Sequence, residues 1–330
     1  MVRITRLVAA APALAGATAL AAALLLSSCG APSQRADNSY DTRVAQPAYG
    51  RAKGPRVVID EAHRNFHTAT GRYKPFASLI TNDGYRVASG HGPFTPEGLK
   101  SVDILLVSNA FGPEGHEDST AFSADEVRAV RDWVENGGSF LFIADHWPCG
   151  GAAAKLSEGL GVEMSQGVTE DSVNCAPSTG GQSEKEPTTL LFSRENGLLQ
   201  DHPVTNGRRP EERIQRVVTF TGQSLSVPAG ATALLKLGVT AADSRPLPPK
   251  IEHVGNDVRV TPQYADPVSA TGRAQGVAFE LGKGRVVILG EAAMMTAQVS
   301  GDGHPFGMNV PGNDNRQLAL NILHWLSRLD

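Results

Sequence analysis

Nearly continuous apolar strands alternate with amphipathic helices along this chain, and no other feature limits the possible folds as strongly. Residues 102–109 (VDILLVSN) and 139–145 (SFLFIAD) are typical of buried strands, and residues 123–138 between them carry an apolar stripe at helical spacing. The pattern returns near the C-terminus, with a strand at 284–291 and a helix at 315–329. Strands that are apolar on both faces and are separated by helices are typical of a parallel sheet covered on both sides. The sequence therefore predicts an α/β fold with a mainly parallel sheet.

The rest of residues 55–330 is consistent with a single α/β domain that carries a β-rich insertion. A short aliphatic strand at 56–60 precedes a predicted helix at 74–82. In residues 205–280, short alternating runs and turn residues replace the long apolar strands. This indicates antiparallel β-structure, either as an insertion or as an extension of the sheet, rather than a separate domain. Residues 165–187 are polar and predict a loop.

Each predicted strand of the parallel sheet ends in a polar side chain. Asp60, Asn109, Asp145 and Glu291 stand at these ends, and further acids and histidines follow the first of them. Because ligands of open parallel sheets bind outside the carboxyl ends of the strands, we predict that these side chains line one cleft. The catalytic candidates are Asp60, Glu61, His63, His67, Asp145, His146 and Glu291, and the ligand-binding candidates are Asn65, Asn109, Gln298 and His304.

Each candidate also has a structural alternative. Asp60 and Asp145 have the chemistry to cap a following helix or turn. Glu291 precedes the run AAMM and has the same option through its carboxylate. A lone histidine such as His63 or His67 is more often a surface or loop residue than a ligand. The grouping at strand ends, rather than any one residue, carries the prediction of a site.

The first 28 residues have the features of an export signal. Arg3 and Arg6 precede a run of Ala and Leu, and small residues lead into Cys29. The segment LSSC at 26–29 resembles a lipobox, which implies cleavage before Cys29, lipidation of that cysteine and anchoring in a cell-envelope membrane. Residues 29–54 are polar and contain Gly, Pro and Ser, so we expect a flexible tether there. The alternatives are an ordinary secretory signal and a transmembrane anchor.

Charge argues against a nucleic-acid partner. Cleavage would remove 28 of the 330 residues and leave 302, enough for one large domain or two small ones. The formal net charge of −4 includes Arg3 and Arg6, so the mature chain would carry −6. The sequence contains no cluster of Lys and Arg of the kind that follows a phosphate backbone.

Two cysteines would remain after cleavage, Cys149 and Cys175. An exported protein folds in an oxidising compartment, where two cysteines usually pair, so we predict a disulfide between them. The alternative is a catalytic Cys149, which would need a reduced and unpaired thiol.

Several segments resemble a bacterial lipoprotein group of the class I glutamine amidotransferase-like superfamily. They are DEAHRNFH after the first strand, FTGQSL, GKGRVVILGEAAMMTAQ and GMNVPGNDNRQLALNILHWL. The group is similar to domains of gliding and intraflagellar-transport proteins and, more distantly, to ThuA-like proteins. The resemblance covers about 55–330 and implies a flavodoxin-like doubly wound fold, but it implies no activity.

The sequence departs from true amidotransferases at their nucleophile. Those enzymes place a cysteine at a G-x-C-x-G elbow after a strand, whereas here the strand ends in ADHWPC, with Asp145 and His146 in the elbow region. The last strand carries Glu291 without an adjacent histidine. This departure argues against cysteine-dependent glutamine hydrolysis.

Two functions of different classes remain open on the sequence. The first is a membrane-anchored binding protein whose cleft holds a small polar molecule, a glycan or a segment of a partner protein. The second is an extracytoplasmic hydrolase in which a carboxylate acts as general base and a histidine as acid. A divalent metal held by the same carboxylates and imidazoles is a variant of the second, although no spacing matches a zinc signature such as HExxH.

Overall fold

The computed structural model describes residues 34–177, 185–254, 257–301 and 303–329, and it describes only the backbone within 253–260. The predicted signal peptide and Cys29 lie outside the described residues. Among the described residues, no helix is both long and apolar enough to cross a membrane.

Eighteen strands are present in the described part of the chain. In chain order they are β1 (Arg35–Ala36), β2 (Arg56–Asp60), β3 (Arg86–Gly90), β4 (Ile104–Ser108), β5 (Ser139–Ile143), β6 (Val168–Glu170), β7 (Cys175–Pro177), β8 (Lys185–Ser193), β9 (Arg216–Val218), β10 (Thr232–Lys236), β11 (Ala242–Ser244), β12 (Pro246–Val254), β13 (Asp257–Tyr264), β14 (Val268–Ser269), β15 (Ala274–Leu281), β16 (Gly284–Leu289), β17 (Ala297–Val299) and β18 (Pro305–Gly307).

Six α-helices and two 3₁₀ turns accompany these strands in the described residues. The helices are α1 (Lys74–Asn82), α2 (Pro96–Leu99), α3 (Ala124–Glu135), α4 (Cys149–Gly159), α5 (Pro203–Asn206) and α6 (Asn315–Leu326), and the 3₁₀ turns are Pro210–Glu212 and Ala293–Met295.

The central sheet has seven strands in the order β10-β15-β16-β5-β4-β2-β3. The strands β3, β2, β4, β5 and β16 run parallel, whereas β15 and β10 pair antiparallel at one edge. Taken in chain order, the five parallel strands follow the 2-1-3-4-5 arrangement of a flavodoxin-like doubly wound fold. The prediction of a mainly parallel α/β sheet is confirmed.

Side chains that alternate along the parallel strands form two cores, one on each face of the sheet. On one face Val57 and Ile59 of β2 pack with apolar residues of α1 and α6. On the other face Val58 packs with residues of α3 and α4. Because successive residues of a strand point to opposite faces, the strands must be apolar throughout, as the sequence shows.

The two long helices α3 and α6 begin differently: α3 has a side-chain cap, whereas the N-cap residue of α6, Asp314, makes no side-chain capping hydrogen bond. The Ser123 side chain accepts a hydrogen bond from the Glu126 backbone N–H, and Glu126 in return accepts from the Ser123 backbone, so the capping box at α3 is complete. At α6, the N–H of Asn315 donates to the Asn313 side chain over 3.0 Å.

The region predicted as a β-rich insertion, 205–280, divides between two roles. Its strands β10 and β15 extend the central sheet, and β15 forms an antiparallel hairpin with β16. The other strands form small sheets, β14-β11-β6 and β7-β8-β9. Two of these strands, β6 and β7, come from the segment predicted to be a polar loop. The strands β12 and β13 pair with each other in a two-stranded sheet, and residues 247–263 belong to a separate compact unit.

Residues 34–54, where we expected a flexible tether, are held along the domain instead. β1 pairs antiparallel with β17. Lys74 Nζ donates to Asn38 Oδ1 over 2.8 Å, and the Ala48 N–H donates to Asp83 Oδ1 over 2.7 Å. Tyr40, Val44 and Tyr49 also pack against the core, so both hydrogen bonds and a few apolar contacts hold the segment in place.

Candidate functional site

The strand order of the sheet reverses between β2 and β4, and the loops that follow these two strands are fastened to each other. The Phe66 N–H donates to the Asn109 carbonyl over 2.9 Å, and the Phe111 N–H donates to the His63 carbonyl over 3.1 Å. Asn65 Nδ2 donates to the Ser108 carbonyl over 3.2 Å. In doubly wound sheets this reversal is the usual position of a ligand crevice. Here the two loops form one continuous wall at that position.

Asp60, His63 and Glu126 form a buried chain of charged groups. His63 Nδ1 lies 3.0 and 2.9 Å from the two carboxylate oxygens of Asp60, and His63 Nε2 lies 2.9 Å from Glu126 Oε1. The imidazole packs between the rings of Phe94 and Phe122 at centroid distances of 4.6 and 4.7 Å. Both ring nitrogens are therefore engaged inside the protein, and His63 ties the loop after β2 to the start of α3.

The pKa shifts of this chain follow from its contacts. Burial alone would lower the pKa of His63, but the carboxylates of Asp60 and Glu126 outweigh burial and raise it. Burial would raise the pKa of Glu126, but hydrogen bonds from Ser123, His63 and Phe94 hold it below its ordinary value. Both shifts favour the charged forms, so the chain acts as an ion-paired brace.

Glu61 and Asn65, also predicted as site residues, are held by neighbours in the fold. Glu61 Oε1 accepts hydrogen bonds from the Ala69 N–H and from Ser89 Oγ, both over 2.8 Å, on the side of β3. Asn65 Oδ1 accepts from the His63 N–H over 3.1 Å. These contacts shape the loop after β2.

His67 is enclosed in an aromatic and hydroxyl environment. Its ring lies 4.7 Å from that of Tyr73, and its Nδ1 lies 3.5 Å from Ser108 Oγ. Burial, together with the positive charge of Arg72, lowers the pKa of His67 to about 3, so the imidazole is neutral at physiological pH. The Tyr73 hydroxyl donates in turn to the Ala292 carbonyl over 3.2 Å, which links His67 and Tyr73 to the segment after β16.

Asp145 is the point at which three strand ends meet. Asn109 Nδ2 donates to Asp145 Oδ2 over 2.6 Å, and the Asp145 N–H donates back to Asn109 Oδ1 over 2.8 Å. The Ala292 N–H, beyond the end of β16, donates to Asp145 Oδ1 over 2.6 Å. Asn109 has a φ of 44°, a left-handed conformation that Asn adopts more readily than most residues. The prediction that side chains at strand ends converge therefore holds for Asn109 and Asp145.

Asp145 lies close to two basic side chains, His146 and Arg72. Burial raises its pKa, although Asn109, His146, the Ala292 N–H and Arg72 act in the opposite direction. Asp145, His146 and Arg72 each keep part of their surface exposed. The guanidinium of Arg72 stacks over the ring of Phe66 at 4.0 Å, and Phe66 as a residue is 37% exposed. This group forms the solvent-facing part of the edge, and we call Phe66, Arg72, Asp145 and His146 the rim.

Glu291 is fully buried and has the capping role that was its structural alternative. Its two carboxylate oxygens accept from the N–H groups of Ala293 and Met294, over 2.6 and 2.8 Å, at the start of the 3₁₀ turn. Burial and the nearby charge of Asp145 raise its pKa well above the ordinary range. Glu291 therefore stabilises the turn that follows β16 from inside the protein.

Gln298 and His304 lie on the hairpin of β17 and β18. Gln298 is 1% exposed and donates from Nε2 to Thr296 Oγ1 over 2.9 Å. The His304 carbonyl accepts from the Ser300 N–H over 3.0 Å, and its own N–H donates to Ser300 Oγ over 3.1 Å. The backbone contacts of His304 close the turn of this hairpin.

The predicted disulfide is absent, since Cys149 and Cys175 are both free and buried. Cys149 begins α4 and packs in the core on one face of the sheet, whereas Cys175 lies in β7, opposite Leu190. We expected the disulfide because an exported protein folds in an oxidising compartment and two cysteines remain after cleavage. A disulfide also needs a specific Cα separation, which the sequence does not reveal. Burial raises the pKa of the Cys149 thiol well above its ordinary value, which disfavours the thiolate that amidotransferase chemistry needs.

Sequence reasoning missed several residues that build this edge: Arg72, Tyr73, Ser108, Glu126 and Gln223. Gln223 is fully buried; its Nε2 donates to the carbonyls of Ala144 and Asp145 over 2.9 and 2.8 Å, and its Oε1 accepts from the Gln166 N–H over 2.8 Å. It lies in the segment FTGQSL, which contributed only to the family resemblance.

A metal site is not assembled within the described ranges, where no group of three or more His, Cys, Asp or Glu side chains is arranged to hold an ion. His63, the imidazole nearest to two carboxylates, already binds both of them directly.

A cavity of about 550 Å³ lies at the opposite edge of the sheet, where β15 turns into β16. Arg285 in its wall donates to the Trp325 carbonyl over 2.7 Å, lies 5.0 Å from the centre of the Trp325 ring and faces Glu280 at 3.5 Å. The guanidinium of Arg285 is thus already bound by other residues that line the cavity.

Comparison with solved structures supports the fold. The "mmIFT52 N-terminal domain" superposes with a TM-score of 0.55 at 15% identity, covering 82% of this chain and 97% of that one. A thua-like protein from Bacteroides uniformis gives a TM-score of 0.41 at 14% identity, covering 84% and 94%, and one from Parabacteroides merdae gives 0.42 at 11%, covering 83% and 90%. No protein-family model matches the sequence, and no curated protein matches it. At these identities the likeness concerns the fold alone.

Proposed function

We propose that this protein is a membrane-anchored, extracytoplasmic binding protein that holds a small polar ligand at the rim. The proposal includes lipidation of Cys29 and kinship with the amidotransferase-like lipoprotein group, both of which rest on the sequence. The contacts of the predicted site residues support binding over catalysis.

The observation that carries the proposal is the division of the site residues into buried residues and residues that keep exposed surface. Asp60, His63 and Glu291 are buried and bonded to other parts of the protein. His67 is buried and neutral. An acid–base catalyst must reach the substrate directly or through one water, and these four groups do not present themselves to solvent. The rim residues do, and they offer recognition chemistry.

The chemistry of the rim suits a ligand with hydroxyl or mixed polar groups, such as a glycan. Arg72 offers planar N–H donors, and Phe66 offers exposed apolar surface beside them. Each oxygen of Asp145 accepts one hydrogen bond inside the protein, from Asn109 or from the Ala292 N–H, and keeps a lone pair for a ligand. A few convergent polar groups next to an aromatic ring are the usual elements of a small-molecule site.

Thermal unfolding of residues 30–330 in the presence of mono- and disaccharides and free amino acids tests this function. A compound that binds the native state at about 100 times its Kd stabilises it by about 2.7 kcal/mol, which a melting curve resolves. We expect Arg72→Gln to abolish the shift. The matched control, Arg51→Gln, changes an exposed arginine that precedes β2 at the other end of the sheet, and it should leave the shift intact. A shift that survives Arg72→Gln contradicts the proposed site.

The alternative, an extracytoplasmic hydrolase, is favoured by one observation. Asp145 combines partial exposure, a raised pKa and a neighbouring histidine, His146, as a general base at a strand end would require. Turnover of nitrophenyl glycosides and esters that Asp145→Asn abolishes would support it. Turnover that Asp145→Asn leaves unchanged would contradict it.

A further inference from the structure

The N-terminal segment enters the described fold beside the rim. Arg72 Nη1 donates to Gln34 Oε1 over 3.3 Å. The next two residues form β1, which pairs with β17, and the Asp37 N–H donates to the Ala297 carbonyl over 2.9 Å. β17 follows the 3₁₀ turn beyond the carboxyl end of β16, so this pairing lies at the same edge of the central sheet as the rim.

From that edge the segment runs along α1 toward the other edge. Asn82, at the end of α1, donates from Nδ2 to the Thr42 carbonyl over 2.8 Å. Farther along, the Gly54 N–H donates to the Gly84 carbonyl over 2.9 Å, just before β2 begins. Because α1 follows the carboxyl end of β2, its first residue lies at the rim edge and its last at the opposite edge. The path of residues 34–54 is thus fixed at both ends.

The fixed path shortens the connection to the proposed anchor. A tether that was free over residues 30–54 would have a root-mean-square span of roughly 28 Å and would leave the domain free to turn. Only five residues, 30–34, separate Cys29 from β1. Five residues extend at most about 17 Å.

We infer that the anchored protein turns the rim edge toward the membrane, so that its ligand is a polar group displayed at the membrane surface. This inference rests on the proposed function, both for the anchor at Cys29 and for the site. The opposite charges of Arg72 and Asp145 and the Phe66 ring would then face headgroups or lipid-borne glycans.

Energy transfer to the membrane surface tests the orientation. Single fluorophores are placed on Glu114→Cys, in the exposed loop after β4 at the rim edge, or on Lys283→Cys, in the exposed turn between β15 and β16 at the opposite edge. The buried Cys149 and Cys175 leave the introduced thiol as the accessible one. The lipidated protein is reconstituted in phosphatidylcholine vesicles that carry an acceptor-labelled lipid.

We expect greater transfer efficiency from position 114 than from position 283. Inserting a Gly/Ser segment of about 20 residues after Ala31 should remove the difference, because the domain then turns freely. Equal or reversed efficiencies, or a difference that survives the insertion, would overturn the inference. The energy-transfer measurement needs no ligand, and the thermal-unfolding assay needs no membrane. The proposed orientation and the proposed binding function can therefore be contradicted independently of each other.

Discussion

Replacing His63 by alanine would leave two carboxylates without the imidazole they share. Asp60 is 1% exposed and binds His63 through both oxygens, and its carboxylate also accepts from the Ala62 N–H over 3.2 Å. Removing one partner of a buried charge pair typically costs about 3–5 kcal/mol, because the remaining charge stays buried. We therefore expect His63→Ala to lower the free energy of unfolding by about that amount at pH 6, measured by urea unfolding followed by circular dichroism.

A double-mutant cycle separates the charge pair from lost packing. In the His63→Ala background, Asp60→Asn removes the stranded charge, so the double variant should lose less than the sum of the single losses, by about 1–3 kcal/mol. Because the folded-state pKa of His63 is raised, its contribution is fully present below its unfolded pKa of about 6.5 and declines as pH rises through the folded value. The gap between wild type and His63→Ala should narrow at alkaline pH. A loss below about 1 kcal/mol at pH 6, or a gap that widens with pH, would refute this reasoning.

Three further expectations concern the fold around the rim. Titration of residues 30–330 with a thiol reagent should find two thiols after unfolding, those of Cys149 and Cys175, and both should react slowly in the native state. A result of no free thiols would show that the two cysteines form a disulfide after all. Gln223→Ala should lower the free energy of unfolding in urea by about 1–3 kcal/mol, because it leaves buried carbonyls unpaired, and a loss below about 0.5 kcal/mol would contradict that role. Deleting residues 34–54 should cost at least about 2 kcal/mol in the same assay, whereas a freely mobile tether would cost nothing.

The parallel sheet could be predicted because its signals are local. The apolar runs of β4 and β5 are buried on both faces, and the Ser123–Glu126 capping box marks the start of α3 within four residues. The convergence of Asn109 and Asp145 followed from topology, since neighbouring parallel strands end at one edge.

The roles of individual side chains could not be predicted, because their partners are distant in sequence. His63 meets Glu126 across 63 positions, and Gln223 meets Asp145 across 78. Glu291 has the same local appearance whether it caps a turn or faces a ligand, and only its two N–H partners decide the matter. The segment 34–54 looked mobile by composition, because composition does not show that Tyr40, Val44 and Tyr49 pack on the core or that the backbone is hydrogen-bonded to neighbouring elements.

The central claim is that the ends of remote strands meet at one edge, with Asp145 next to Glu291. The most direct test is a pH titration of residues 30–330 in which NMR follows the side-chain carboxyl carbons, in the wild type and in Asp145→Asn. Our account predicts that the pKa of Glu291 lies well above its ordinary range and falls when the Asp145 charge is removed. An ordinary pKa for Glu291, or a value that does not respond to Asp145→Asn, would place the two carboxyl groups apart and contradict the account.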